Sequence, residues 1–540
     1  MSLEKLPLNF LVWWPVLAFL VVICLPRDRA PSHYRGWALA LSVPPVFVSL
    51  YLVALFAQAG WGAKAGEPFT VFAPWFAVGQ LSVTYALFVD GLSLPLIALT
   101  TVLTTLVILY SNITDRAREY YALFLLLEVG MLGTFLAVDF FLFYVYWEIS
   151  LVPMYFIIGI WGGSNREYAA IKFFLYTLVG SVAMLLAFIW IYLVVPQKTL
   201  LFINDIPGQT SLLAQTAPAV RAFPGLALCA WWGIFLAFAI KVPTWPFHTW
   251  LPDAHTEAPT GGSVILAGIL LKMGGYGIFR ILLPILPEQS YQMRYVLLLM
   301  AVVGVVYGAF VAMAQQDLKK LIAYSSVNHM GYVMMGIASA AAVLYPGATG
   351  PQIEAAKTAT AGAIYQMFAH GLLTSGLFLL VGVIYDRTHT RDLQMFGGLG
   401  QNLPEYAGYF RLFVFGSLGL PGLAGFVAEF LVFMGCFSSD QPGEGIFRMG
   451  SVIAGLGIVV TAAFLLWTIQ RVLLGPLNPR WARLPDIELR ERIPLLVLGV
   501  LSLVFGLLPN LLLGSMNSYL QDLPTYLPAE ATRPPISGRR

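Results

Sequence analysis

Apolar residues run along this chain in long stretches, separated by short polar segments that collect Gly, Pro, Asp and Arg. Stretches of about 18–25 apolar residues match the hydrocarbon thickness of a bilayer. They fall near 9–25, 36–58, 91–110, 120–138, 140–160, 171–194, 226–250, 261–284, 293–313, 321–343, 361–383, 408–437, 452–474 and 493–513. This pattern predicts an all-α polytopic membrane protein of about fourteen transmembrane helices. Residues 66–90 break the pattern: Thr, Val and Phe alternate around a Gly, as in an extramembrane hairpin.

Composition supports the membrane reading. Hydrophobic residues make up 59% of the 540 and charged residues 11%, where soluble domains carry about a quarter charged residues. A scattered net charge of +3 gives no footprint for nucleic acid. Cys24, Cys229 and Cys436 lie far apart, which predicts no metal site, no iron–sulfur cluster and no disulfide framework. The run at 9–25 lacks a basic leader and a small-residue cleavage site, so it reads as a retained helix. Basic residues are modestly enriched in alternate loops, among them Arg27, Arg29, Arg35, Arg116, Arg118, Lys319, Lys320, Arg387, Arg391 and Arg490. That bias puts these loops inside and both termini outside. The tail 528–540 is polar and Pro-rich and is expected to be disordered.

Two of the expected helices are interrupted. The seventh carries Pro243 and Pro246, the twelfth Pro421 and Gly422. Proline removes an amide donor and clashes with the preceding turn. Such backbone is tolerated at membrane depth only inside protein or beside a water-filled cavity. Paired interruptions in two halves point to an ion site between inverted repeats. The layout divides the chain into residues 1–119 (the first three helices and the hairpin), a first five-helix repeat at 120–284, an inverted second repeat at 285–474, and 475–540 with the last helix and tail.

Ionisable residues stand inside these helices: Glu148, Lys241, Lys272, His370 and Glu429, with His329 and Glu128 beside them. A mid-bilayer charge costs a few kcal/mol or more and faces a bundle interior or water. Glu148 and Lys241 could simply neutralise one another, and His329 and His370 could be hydrogen-bonded packing. Glu429 has no cation near it in sequence, and Glu128 has no assignable role. His248 and His255 lack metal-ligand spacing and read as packing or loop capping. As a set, the acids and amines suit proton transfer. Burial disfavours a charged amine and a nearby carboxylate favours it, so a lysine whose distance from a glutamate changes can take up and release a proton. Sodium is the other ion such a path could carry. No phosphate-cradling glycine loop and no nucleophile triad is present.

The stretches "HTWLPDAHTEAPTGGSVILAGILLKMGGYGIFR", "WEISLVPMYFIIGIWGG", "KFFLYTLVGS", "AYSSVNHMGYVMMGI" and "LPGLAGFVAEF" resemble the antiporter-like subunits of respiratory complex I, in order, over about residues 90–515. Within that family Glu429 points to the M type (chain 4), because the L and N types typically carry lysine there. The resemblance implies two half-channels, with Glu148 and Lys241 as the first pair and Lys272 as the central relay. It also implies His329 and His370 as intermediates and Glu429 as the terminal group. It implies no redox cofactor in this chain; iron–sulfur clusters and quinone would belong to partner subunits of the peripheral redox arm, with L-like and N-like chains and lipid as neighbours in an energy-transducing membrane. The D-type chain of a multi-subunit sodium/proton antiporter and a proton-translocating chain of a membrane-bound hydrogenase share these motifs and remain as alternatives.

Overall fold

The computed structural model describes residues 6–61, 69–203, 211–345, 347–441 and 443–523. The polar tail lies outside them. Helices dominate, and the strands Thr70–Val78 and Leu81–Phe88 pair antiparallel at the hairpin position.

Among the described residues, ten helices are long and apolar enough to cross a bilayer. An eleventh is added if Leu489–Leu507 and Asn510–Asp522, which meet at 68°, count as one span. The expected fourteen is not reached by this measure. Leu94–Tyr110, Pro404–Ser417 and Ala424–Phe437 are short. Leu318–Ala342 is long but carries Ser325, Ser326, Asn328 and His329.

Two helices form the centre. The spans in Thr260–Ile285 and Gly350–Thr388 are fully buried, whereas those of Pro31–Gln58, Arg166–Val194 and Ile446–Leu473 leave most of their residues outward. The outward residues are large and apolar, such as Leu175, Val179 and Leu186, as lipid requires. Glycines let the central helices approach closely. A Cβ on Gly268 would lie 2.8 Å from Ser375 Oγ, and one on Gly371 would lie 3.0 Å from the Gly268 carbonyl. Small residues serve this role where apolar surface gives no driving force between helices.

Thr260–Ile285 is not uniformly α-helical. Leu266–Leu270 and Ile278–Leu282 are π-helical turns, with Lys272 between them. Such turns gather at functional sites. No proline or glycine pattern forecast them.

Candidate functional site

The first interruption begins where Pro224–Lys241 ends. Pro243 has no amide to continue the ladder, so the carbonyls before it need other donors. Thr244 N–H donates to Ala239 O at 2.9 Å, and the Trp250 indole N–H donates to Ile240 O at 2.9 Å. The chain resumes as Trp250–Glu257. Lys241 is thereby left on the last turn, 1% exposed. Its Nζ has no hydrogen-bond partner among the described residues and lies 5.2 Å from the Trp147 ring and 5.8 Å from the Phe173 ring. Trp147 is held by its own N–H, which donates to Ser181 Oγ at 3.0 Å.

Glu148, next to that tryptophan, acts on Lys241 through space, but the two form no direct ion pair among the described residues. The expected pair is therefore open: the amine rests on aromatic faces, and Glu148 Oε1 is buried without a donor.

Lys272 is fully buried. Its Nζ reaches the Ala267 carbonyl in the first π-turn and lies 2.6 Å from His370 Nδ1. An ammonium has only donors, so with Lys272 charged His370 accepts at Nδ1 and carries its proton on Nε2. The His370 and His329 rings stand 5.7 Å apart.

His329 faces two carbonyl oxygens, Ser325 O at 2.7 Å from Nδ1 and Ser417 O at 2.8 Å from Nε2. Carbonyls only accept, so a neutral ring can donate to one of them and a protonated ring to both. Glu429 Oε1 is 4.0 Å from Nε2 and supplies the counter-charge when the ring is protonated. Glu429 thus has a basic partner after all, about a hundred residues away in sequence.

The second interruption builds this end of the line. Ser417 closes Pro404–Ser417, so its carbonyl is free for His329. Gly419 has φ +79°, and a Cβ there would lie 2.7 Å from Glu429 Oε2; glycine is demanded twice over. Pro421 and Gly422, at φ +94°, complete the bend before Ala424–Phe437 brings in Glu429. A cavity of about 10 Å³, bounded by His329, Gln366, His370, Thr374, Ser417 and Glu429, has room for about one water.

Lys272, His370, His329 and Glu429 therefore form one buried line, whereas Lys241 and Glu148 stand apart from it behind the first break. Glu128 is also fully buried, with neither carboxylate oxygen hydrogen-bonded among the described residues. His248 packs its ring near Tyr307 and Tyr324. Sequence reasoning missed Gln366 and Ser417, because a helix-end carbonyl or a buried amide has no local signature.

A line of buried ionisable groups among membrane helices, two of which are interrupted, defines an antiporter-like, multi-pass membrane protein. The chain belongs to the transmembrane family described as NADH:quinone oxidoreductase/Mrp antiporter, matched over residues 137–454. It is 38% identical to the NADH-quinone oxidoreductase subunit M of Rickettsia conorii, over 95% of this chain and 97% of the relative. Its fold matches a chain of respiratory complex I from Thermus thermophilus with a TM-score of 0.79 at 28% identity, covering 98% of this chain and 100% of that one. A chain of the Mrp complex from Dietzia sp. DQ12-45-1b gives a TM-score of 0.78 at 19% identity, over 97% and 98% of the two chains, which is a likeness of fold alone.

Proposed function

We propose that this chain is a proton-translocating membrane-arm subunit, of the M type, in a quinone-reducing respiratory complex. The observation that carries the reading is the buried line Lys272–His370–His329–Glu429, which runs from the central span Thr260–Ile285 to the helix that follows the second interruption. Near-full-length identity to subunit M favours complex I over the sodium/proton antiporter, for which the likeness is one of fold.

In this reading the chain makes fourteen crossings, counting the short and interrupted helices, arranged as two inverted repeats at 120–284 and 285–474. Lys241 takes a proton when Glu148 approaches and gives it up when Glu148 withdraws. Lys272 passes a proton to His370, and His329 and Glu429 carry it toward the second interruption. Electron transfer takes place in partner chains that hold the iron–sulfur clusters and quinone, alongside L-like and N-like neighbours. It drives the line through coupled changes in charge and conformation.

The test is Lys241→Ala and Glu148→Gln in sealed membrane vesicles. The complex assembles in both, and proton translocation falls sharply. Unchanged proton-to-electron stoichiometry in both variants would defeat the relay. Lys241→Arg adds a sharper readout, because arginine does not release its proton.

A further inference from the structure

Eight residues beyond Lys272, on the same central span, stands a second buried cation, Arg280, in the π-turn Ile278–Leu282. It is 8% exposed, and the line from Lys272 to Glu429 does not use it. Its Nη2 lies 2.5 Å from Asp90 Oδ1, and its guanidinium lies 5.6 Å from the Tyr276 ring and 5.7 Å from the rings of Phe88 and Tyr519. The acid is set in place by its own loop: Asp90 Oδ1 accepts from Leu92 N–H and Ser93 N–H, each at 3.1 Å.

The residue before Arg280 is held as well. Tyr519, on Asn510–Asp522, donates its hydroxyl to Phe279 O at 2.9 Å. One turn nearer Lys272, the Tyr276 hydroxyl donates to Phe135 O at 3.2 Å. The two supports brace each other. A Cβ on Gly91 would lie 1.9 Å from Ser515 O, so the Asp90 loop and the Tyr519 helix touch backbone to backbone.

These contacts fall on a turn that a regular helix does not contain. A π-turn closes on the fifth residue rather than the fourth. If it moves along the helix by one position, the residues it passes turn onto another face. Lys272 lies between two such turns, so the face it presents depends on where both of them sit. The first is engaged by Lys272 itself, whose Nζ reaches Ala267 O. The second is engaged by Asp90 and Tyr519. A buried ion pair adds little net stability over apolar packing, and its best-attested use is to fix a register.

We propose that Asp90, Arg280 and Tyr519 are positioning residues that lock the register of the central helix, holding the second π-turn at Ile278–Leu282 so that Lys272 stays within hydrogen-bond reach of His370. The inference rests on the function proposed above. Arginine does not release its proton, so Arg280 acts through the place it gives Lys272 and not as a further station. The separation it helps to set is the 2.6 Å between Lys272 Nζ and His370 Nδ1.

The experiment uses the intact complex in sealed vesicles, with Tyr519→Phe, Arg280→Gln and Arg280→Lys. Phenylalanine keeps the ring beside Arg280 and removes only the hydroxyl that bonds Phe279 O. In Arg280→Gln, Asp90 still accepts from Leu92 and Ser93, and Arg280→Lys keeps the cation. The expected result is assembled complex whose proton translocation falls about tenfold in Tyr519→Phe and about a hundredfold in Arg280→Gln, since displacing a reacting group by about 1 Å can cost about a hundredfold. Arg280→Lys recovers part of the loss. The pH profile of translocation is the readout that a merely stabilising role leaves in place. Groups that share a proton shift one another by more than about one pH unit, so parting Lys272 from His370 moves the midpoint of the profile by about that much. Near-parental translocation in Tyr519→Phe, or a loss at an unmoved midpoint, overturns the proposal. Should Arg280→Gln fail to assemble, Tyr519→Phe decides alone. Lys272→Arg in the same vesicles keeps the two readings apart. Loss there beside near-parental Tyr519→Phe sinks the lock only, whereas near-parental translocation in Lys272→Arg sinks the relay itself.

Discussion

Lys272 Nζ lies 2.6 Å from His370 Nδ1, inside a fully buried pair of central helices. The amine and the imidazole share one hydrogen-bonded position, so only one of them holds the proton between them. This makes each titration depend on the other, and apparent values would belong to the pair.

Lys272→Arg keeps a cation of similar reach and removes the possibility of release. The expected outcome is assembled complex with proton translocation reduced by about a hundredfold. Dye-reported acidification of sealed vesicles checks it, with electron transfer measured in parallel.

Glu429→Gln removes the carboxylate that would stabilise a protonated His329 between its two carbonyls. The ring then takes up a second proton less readily, and translocation falls as it does in Lys272→Arg. Glu429→Asp, which keeps the charge, should recover part of the rate. A Gln variant that translocates like the parent would remove Glu429 from the path.

Gly274 sets the seat of the first interruption. A Cβ there would lie 2.6 Å from Phe238 O and 2.8 Å from Val242 N, both backbone atoms. Gly274→Ala gains about 1 kcal/mol of helix propensity. Overpacking against an unyielding backbone costs about 1–3 kcal/mol, so the loss prevails. Thermal denaturation of the purified complex should begin at lower temperature, and translocation should fall because the Lys241 turn is pushed away.

Arg387 and Glu491 make a two-pronged ion pair, at 3.0 and 2.7 Å, with Glu491 1% exposed. Glu491→Gln strands the guanidinium, and removing one partner of a buried pair costs about 3–5 kcal/mol. The carbonyls of Val383, Pro485 and Asp486 still accept from Arg387, which argues for the low end, about 3 kcal/mol. Lower resistance to heat, with translocation per assembled complex unchanged, is the expected result.

Both interruptions were legible in the chain, because Pro243 and Pro421 announce missing donors wherever they fall in an apolar run. The depth of Lys272 was legible for the same local reason. Its partner was not: His370 lies 98 residues away, and no periodicity ties one helix face to another at that distance. The same holds for Glu429, which has no cation near it along the chain and meets His329 only in the fold. Glu148 and Lys241 were expected as a pair; among the described residues they make no hydrogen bond or ion pair, and the amine lies 5.2 Å from the Trp147 ring. His255 was read as packing or loop capping on spacing alone; its fully buried ring lies flat on Phe378, with neither nitrogen hydrogen-bonded among the described residues.

The two widened turns that bracket Lys272 have a consequence for how this helix tolerates length change. Each holds one residue more than a regular turn, while the helix on either side keeps its neighbours. Deleting a single residue within Leu266–Leu270 would tighten that turn and leave both ends docked. Elsewhere in the span the same deletion would swing everything beyond it by about 100°. The span therefore carries its own slack, placed next to the one amine that has to stay opposite His370.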